Sequence, residues 1–246
     1  MRGTVTGTDD SAPIASDTVG LLEGMTTTRS IRRYTDEEIP EGVLRDILFA
    51  ATRAPSGSNR QPFKFVVLRK GPKALEARRM IAEAARSIWS GKRERDGYDE
   101  GSGARSGTPK ARMADTMAQY VDNYESVPVV ILGCFVRYRE RESITDGGNI
   151  YPACQNLLLA ARAFGYGGVL TGFAGVAGPE LRELLGIPEQ AVIAATITLG
   201  RPAGAHGPVR RRPMADAVYE DEWGAPAPWA IDPPGTRFTA AGPLGT

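Results

Sequence analysis

Apolar residues recur along this chain in two rhythms, and each predicts a different element. From Glu41 to Arg53 they fall at Val43, Leu44, Ile47, Leu48 and Ala51, the spacing of a helix with one apolar stripe. The pattern is clearest over 149–164. There Ile150, Ala153, Cys154, Leu157, Leu158 and Ala161 repeat at helical spacing, and Pro152 suits a first turn. Further helices are predicted at 17–28 with Asp17 as N-cap, from Pro72 to about Trp89, around 111–123, and over 179–186, where Gly186 closes the turn. The second rhythm is short and extended. Residues 63–69 (FKFVVLR) carry aromatic and β-branched side chains and predict a strand. The unbroken apolar run at 127–136 (VPVVILGCFV) predicts a strand buried on both faces. A short strand is expected within 165–172 and a longer one over 191–200.

Three or four strands thus mix with six or seven helices without strict alternation, and no internal repeat is visible. So small a sheet for 246 residues leaves room for completion by a partner chain. The remaining segments lack a core of their own. Residues 1–16 predict a disordered tail, and 225–246 a Pro/Gly/Ala-rich C-terminal tail. Residues 91–110 (GKRERDGYDEGSGARSGTPK) predict a mobile surface loop or lid. One domain over 17–224 is the expected organisation.

Composition narrows the function classes. A net charge of +1 gives no general attraction to nucleic acid or membrane, so neither is expected as a partner. No apolar run reaches the ~18–20 residues that span a bilayer, and the first residues lack a signal-peptide core. A cytoplasmic protein is expected. Cys134 and Cys154 each lie in an apolar stretch and read as buried thiols. No Cys/His spacing suits a metal, and His206 is the only histidine, too little for a triad or a histidine-ligated metal.

The glycine-rich stretch Gly101-Ser-Gly103-Ala-Arg-Ser-Gly107 is not a dinucleotide fingerprint, because it follows RERDGYDE, which cannot form a buried strand. No GxxxxGK[ST] is present. Any phosphorylated cofactor must therefore be held by arginines. Two clusters are available, Arg29, Arg32 and Arg33 in TRSIRRY, and Arg210, Arg211 and Arg212 near the end. Like charges so close repel, and a dianionic phosphate offsets that through charge-assisted bonds with the planar guanidinium. A solvated basic face is the alternative.

TRSIRRYTDEEIP, followed after a helix by RAPSGSNRQPFKFVVL, resembles the nitroreductase family of FMN enzymes. That family opens with Arg-Ser-x-Arg-x-aromatic and then carries a Pro-Ser-Ser-x-Asn-x-Gln-Pro-aromatic loop leading into a strand. Gln155-Asn156-Leu157, the GYGG turn at 165–168, Leu199-Gly200-Arg201-Pro202 and Trp223-Gly224 also fit, so the resemblance spans about 18–224. Departures are Thr28 where the family often has an arginine, Ser56-Gly57 in place of Ser-Ser, and the 91–110 and post-225 stretches, which have no counterpart.

The resemblance implies an α+β fold, a small, mainly antiparallel sheet flanked by helices, in a homodimer with intertwined C-terminal extensions and FMN at the interface. It assigns Arg29, Ser30 and Arg211 to the FMN phosphate, with Arg210 as the alternative. Arg32 falls at the pyrimidine edge, where a cation stabilises reduced flavin; an ion pair with Glu37 or Glu38 is its structural alternative. Arg33 has a weaker claim. Pro55, Ser56 and Gly57 approach the flavin through their backbone, while the amides of Asn59 and Gln61 suit its carbonyls and N3–H or else hold their own turn. Leu170, Thr171 and Gly172 run over one flavin face, with a backbone N–H near N5. Tyr151, Phe173 and Trp89 line the substrate side or pack in the core.

No side chain is implied as acid or base, since the cofactor carries the difficult step. The implied reaction is ping-pong. NAD(P)H delivers hydride, then a small nitroaromatic or quinone-like substrate accepts the electrons. The alternatives are enone reduction, reductive dehalogenation or oxygen-dependent chemistry on the same flavin, or a non-catalytic flavin- or anion-binding module.

Overall fold

The computed structural model describes residues 18–140 and 143–239. The predicted tail at 1–16 and the last residues of the 225–246 tail lie outside them. Ten elements order the described chain: α1 (Leu21–Thr27), α2 (Glu41–Ala51), β1 (Phe63–Leu68), α3 (Pro72–Arg95), α4 (Pro109–Asp122), β2 (Val129–Val136), α5 (Tyr151–Ala163), β3 (Gly167–Thr171), α6 (Pro179–Leu185) and β4 (Ala191–Gly200). The strands form one sheet in the order β1-β2-β4-β3, antiparallel throughout.

The apolar run of β2 is buried along nearly its whole length because the sheet is covered twice. On one face α2 and α5 pack Ile47, Ala51, Ala153, Cys154 and Leu157 against Ile131 and Ile197. On the other, α3, α4 and α6 pack Ile81, Ala85, Tyr120 and Leu181 against Val130 and Leu132. The free, buried thiols Cys154 and Cys134 belong to these two different cores. Burial raises the pKa of both, that of Cys154 to about 12, so neither is a ready nucleophile.

Two boundaries differ from the sequence expectation. α1 begins at Leu21 behind Gly20 as N-cap, not at Asp17. α3 continues past Trp89 to Arg95, so the first part of the predicted 91–110 loop is helical. The charges there do not simply face water. Lys92 pairs with Asp96 one helical turn on, Arg93 forks onto Asp99 at 2.6 Å, and Tyr98 folds back edge-on against Trp89 at 5.1 Å. Turns then lead to Thr108, whose hydroxyl accepts from Ala111 N–H at 3.1 Å and caps α4. Trp89 and Phe173 are core residues, whereas Tyr151 is 46% exposed.

β3 is an edge strand with glycines at its start. A Cβ on Gly168 would run into the Thr198 carbonyl and come within 2.6 Å of Leu199 Cδ2, while one on Gly172, just past the strand, would meet nothing within 4 Å. Gly168→Ala is therefore expected to destabilise the fold by roughly 1–3 kcal/mol. Gly172→Ala should stay within about 0.5 kcal/mol of the parent. Urea unfolding of the two variants side by side checks this.

Candidate functional site

The arginine segment crosses the start of the β3 edge and then runs beside the stretch that follows β4, held by its backbone. Ile31 N–H donates to Gly168 O at 2.9 Å, Ala203 N–H to Arg33 O at 3.0 Å, and Thr35 N–H to Arg201 O at 2.9 Å. Its apolar and aromatic members anchor it. Ile31 is buried, and the Tyr34 hydroxyl donates to Ile31 O at 2.6 Å and lies 2.8 Å from Thr198 Oγ1. The alternation that buries Ile31 leaves Arg29, Ser30 and Arg33 exposed and Arg32 half-buried.

Arg32 is the anomaly. Its Nε is buried and has no hydrogen-bond partner. The two acids that offered a structural pair are engaged elsewhere, Glu37 with Arg201 and Glu38 with Lys70, so that alternative is not realised. Burial lowers the guanidinium pKa, Tyr120 and Tyr34 oppose the shift, and Arg29 adds to it. An arginine nevertheless stays charged, so the segment holds a partly desolvated cation that makes no ion pair among the described residues, although Asp36 lines the same cavity.

A cavity of about 330 Å³ opens beside it, lined among others by Arg32, Arg33, Gln119, Tyr120 and Asn123. Sequence reasoning missed the last three, treating 111–123 only as a helix. Their signal was modest: Gln119 and Asn123 stand four apart and so share one face. Tyr120 ties this wall to the sheet, its hydroxyl 3.0 Å from Thr198 Oγ1.

At the far end of β3, Leu170 and Gly172 are exposed, and the Thr171 hydroxyl donates back to Thr196 O at 3.2 Å. The arginine segment and the 170–172 segment therefore share one sheet edge, set apart by the length of β3, about 13 Å at ~3.3 Å per residue.

The 55–61 loop lies elsewhere. It leads into β1, and two strands separate β1 from β3. Ser58, Asn59 and Gln61 all have positive φ (52°, 51° and 51°). Non-glycine residues so placed each store on the order of 1 kcal/mol or more, and such strain gathers at functional sites. The loop is held by Gln61 N–H to Ser56 Oγ at 2.8 Å and by Gln61 Nε2 to Asn59 Oδ1 at 3.0 Å, so the two amides bond each other. Gly57 N–H donates to Asn149 Oδ1 at 2.8 Å, and a Cβ on Gly57 would lie 3.3 Å from that oxygen. Asn149, 4% exposed, is the clamp that sequence reasoning missed. Pro55 is exposed at the start of the loop.

Arg210 and Arg211 lie on an exposed C-terminal arm. Arg211 N–H donates to Arg237 O at 3.4 Å and Thr239 N–H to Arg211 O at 2.9 Å, while the Arg211 guanidinium donates to Arg210 O. Among the described residues no hydrogen bond or ion pair joins either arginine to the 28–33 segment. One chain thus assembles Arg29, Ser30, Arg32, Arg33, Leu170, Thr171 and Gly172 along an edge, and leaves Pro55, Ser56, Gly57, Asn59, Gln61, Arg210 and Arg211 apart from it.

Comparison with known proteins bears on this arrangement. Residues 25–201 match the model described as the nitroreductase family. The chain is 32% identical over 207 residues to an NADH dehydrogenase of Thermus thermophilus, covering 82% of this chain and 97% of that one. It is 28% identical over 206 residues to iodotyrosine deiodinase 1 of Rattus norvegicus, covering 80% and 68%. A solved structure of a putative nitroreductase in complex with FMN, from Desulfovibrio desulfuricans, superposes with a TM-score of 0.58 at 28% identity, covering 82% of this chain and 96% of that one.

Asn149→Ala should loosen the 55–61 loop and cost about 1–3 kcal/mol, because Gly57 N–H loses its acceptor. Denaturant melts read the stability, and amide exchange at Gly57 reads the loop.

Proposed function

The chain belongs to the nitroreductase family, and from that premise we propose that it is an FMN-dependent oxidoreductase that takes hydride from NAD(P)H and reduces nitroaromatic or quinone-type compounds. The observation that carries this reading is the half-buried Arg32, a cation beside a cavity lined by amides and Asp36, with a buried Nε that has no partner and no ion pair among the described residues.

The residues present fit FMN. Arg29 and Ser30 offer a fork and a hydroxyl to its phosphate. Arg32 answers the electron-rich pyrimidine edge, with Gln119 and Asn123 supplying amides that donate and accept. The open space at Gly172 admits a flat ring against the end of β3. Bound FMN supplies the redox chemistry, accepting hydride and passing electrons on, so the protein needs no side-chain acid or base. The chain's own work is to hold the charge at both ends, orient the ring and leave one face open for donor and acceptor in turn.

Completion of the site falls to a second copy in a homodimer, which brings a 55–61 loop and a C-terminal arm. Three features support this. Leu21, Leu22 and Met25 of α1 and Phe49 of α2 are exposed. An apolar groove of about 260 Å³ runs between α1, α2 and α5. The arm exposes Trp223, Trp229, Ile231 and Phe238 and bonds to itself, as in Met214 N–H to Asp232 Oδ2 at 2.9 Å and Trp229 Nε1 to Glu220 Oε1 at 2.9 Å. A reducing, nicotinamide-supplied compartment, the cytoplasm, suits both the reaction and the two free thiols. Among the described residues no helix is long and apolar enough to cross a membrane.

Reductive dehalogenation is the second reading, favoured by the likeness to iodotyrosine deiodinase. Purified protein should be yellow, absorbing near ~450 nm, and should bleach with NADPH or NADH under nitrogen. Recovery of colour on adding a nitroarene supports the first reading. Recovery only with an iodophenol, with iodide released, supports the second. A colourless protein that gains no melting temperature from FMN defeats both. Arg32→Ala should weaken FMN binding about tenfold or more and lower the flavin reduction potential; equilibrium titration and spectroelectrochemistry measure the two effects. Leu22→Asp combined with Phe49→Asp should sediment as a monomer and shed flavin.

A further inference from the structure

A second set of polar atoms without partners lies at the start of β3, the end away from Gly172. The imidazole of His206 sits against Gly167, where a Cβ would come within 2.9 Å of Nε2 and 2.6 Å of Ile31 Cγ1. Both ring nitrogens are buried and neither has a hydrogen-bond partner. The Tyr166 backbone approaches the ring without making a well-directed bond. Two more buried polar atoms in the same condition belong to the elements that meet here, Thr28 Oγ1 at the head of the arginine segment and Nε of Arg162 in the last turn of α5. Backbone bonds hold these elements together. Gly165 N–H donates to Arg162 O at 3.0 Å, Tyr166 N–H to Ala161 O at 2.8 Å, and Ile31 N–H to Gly168 O at 2.9 Å.

The charges that face His206 are both positive, Arg162 from α5 and Arg29 from the arginine segment. Burial first, then Arg162, lowers the imidazole pKa, with the Tyr166 backbone opposing and Arg29 adding to the fall. The carboxylate nearest the Tyr166 ring, Glu37, is held by Arg201. A buried polar atom with no partner costs free energy, and here several are gathered around like charges. A dianion with several acceptor oxygens can take the donors among them, the Thr28 hydroxyl, the Arg162 Nε–H and one His206 ring N–H.

We propose that Thr28, Arg162 and His206 join Arg29 in seating the phosphate of FMN, extending that seat onto α5 and the stretch that follows β4. The proposal rests on the flavin reading above. It also accounts for Thr28. A hydroxyl suffices at that position because Arg162 brings a guanidinium in from another element. His206 donates one ring N–H and Thr28 its hydroxyl. The phosphate then lies at one end of β3 and the ring at the other, consistent with the strand's length.

The test is a pair of binding titrations on flavin-stripped full-length protein, followed by quenching of flavin fluorescence. The ligands are FMN and riboflavin, which differ only in the phosphate. His206→Gln and Arg162→Met should each weaken FMN binding about ten- to a hundredfold. Riboflavin binding should change less than about twofold, since the ring end is untouched. Arg162→Lys should recover part of the loss, because it keeps the charge without the fork. Unchanged FMN affinity in the variants, or equal losses for FMN and riboflavin, overturns the proposal while leaving the flavin reading intact. If the unaltered chain binds neither ligand, both fall. Should His206→Gln fail to fold, Arg162→Lys and Thr28→Val carry the same comparison.

Discussion

A guanidinium partly withdrawn from water needs a negative partner or a strong reason to do without one. Among the described residues Arg32 makes no ion pair: Glu37 and Glu38 are bonded to Arg201 and Lys70, and Asp36 lines the same cavity without bonding to it. Removing a charge from water without pairing it costs several kcal/mol, and here no hydrogen bond to Nε offsets that cost. The position is nonetheless fixed by a well-made network. Tyr34 and Tyr120 converge on the fully buried Thr198, and Tyr34 also grips the Ile31 carbonyl next to Arg32. A fold that invests so many buried bonds in holding a costly cation still is preorganised for something that arrives later. The amide-lined cavity and the free edge of β3 follow from the same placement.

The sheet order explains why one chain does not bring the arginine segment and the 55–61 loop together. β2 and β4 occupy the middle, buried on both faces, so only β1 and β3 present edges. The arginine segment takes the β3 edge, and the strained 58–61 turn precedes β1 on the other side. No motion of side chains closes a gap of two intervening strands, some 14 Å at ~4.8 Å per strand. The proposed apposition of two copies would close it without deforming either, and the uncovered apolar surface of α1 and of the C-terminal arm would give it a driving force.

What the sequence made legible follows from how locally each feature is determined. Helix α5, the doubly buried β2 and the strand β4 emerged within a residue or two, because periodicity and continuous apolar runs are local signals. The end of α3 did not. Lys92 and Arg93 looked like loop charges, yet they find Asp96 and Asp99 only once the helix has formed. The same division holds at the site. Arg29, Ser30 and Arg32 were legible from one contiguous motif. Gln119, Tyr120, Asn123 and Asn149 were not, since each is an ordinary polar or aromatic residue whose importance comes from what the sheet order sets beside it. The turn's backbone was not legible either: its left-handed positions belong to Ser58, Asn59 and Gln61, and Asn149 stands against Gly57.

Cofactor and reaction are separable questions for this architecture, and the residues divide accordingly. Groups that the proposal sets against the flavin's fixed parts lie on the sheet or on segments bonded to it, with Ile31, Tyr34 and Thr171 tied to the carbonyls of Gly168, Thr198 and Thr196. In the proposed enzyme, groups that would meet a second substrate lie away from that edge: on the 96–108 turns, the loop between β2 and α5, and the C-terminal arm. Near that loop, Tyr151 is exposed with its hydroxyl 3.2 Å from Ala194 O, beside a cavity of about 350 Å³ that Arg137 and Asp146 also line. On the proposed reading, the charge of Arg32 would set how readily a bound flavin holds electrons, whichever acceptor takes them. The choice of acceptor would then rest on shape and polarity away from that edge, so the same cofactor seat is compatible with nitroarene reduction and with dehalogenation.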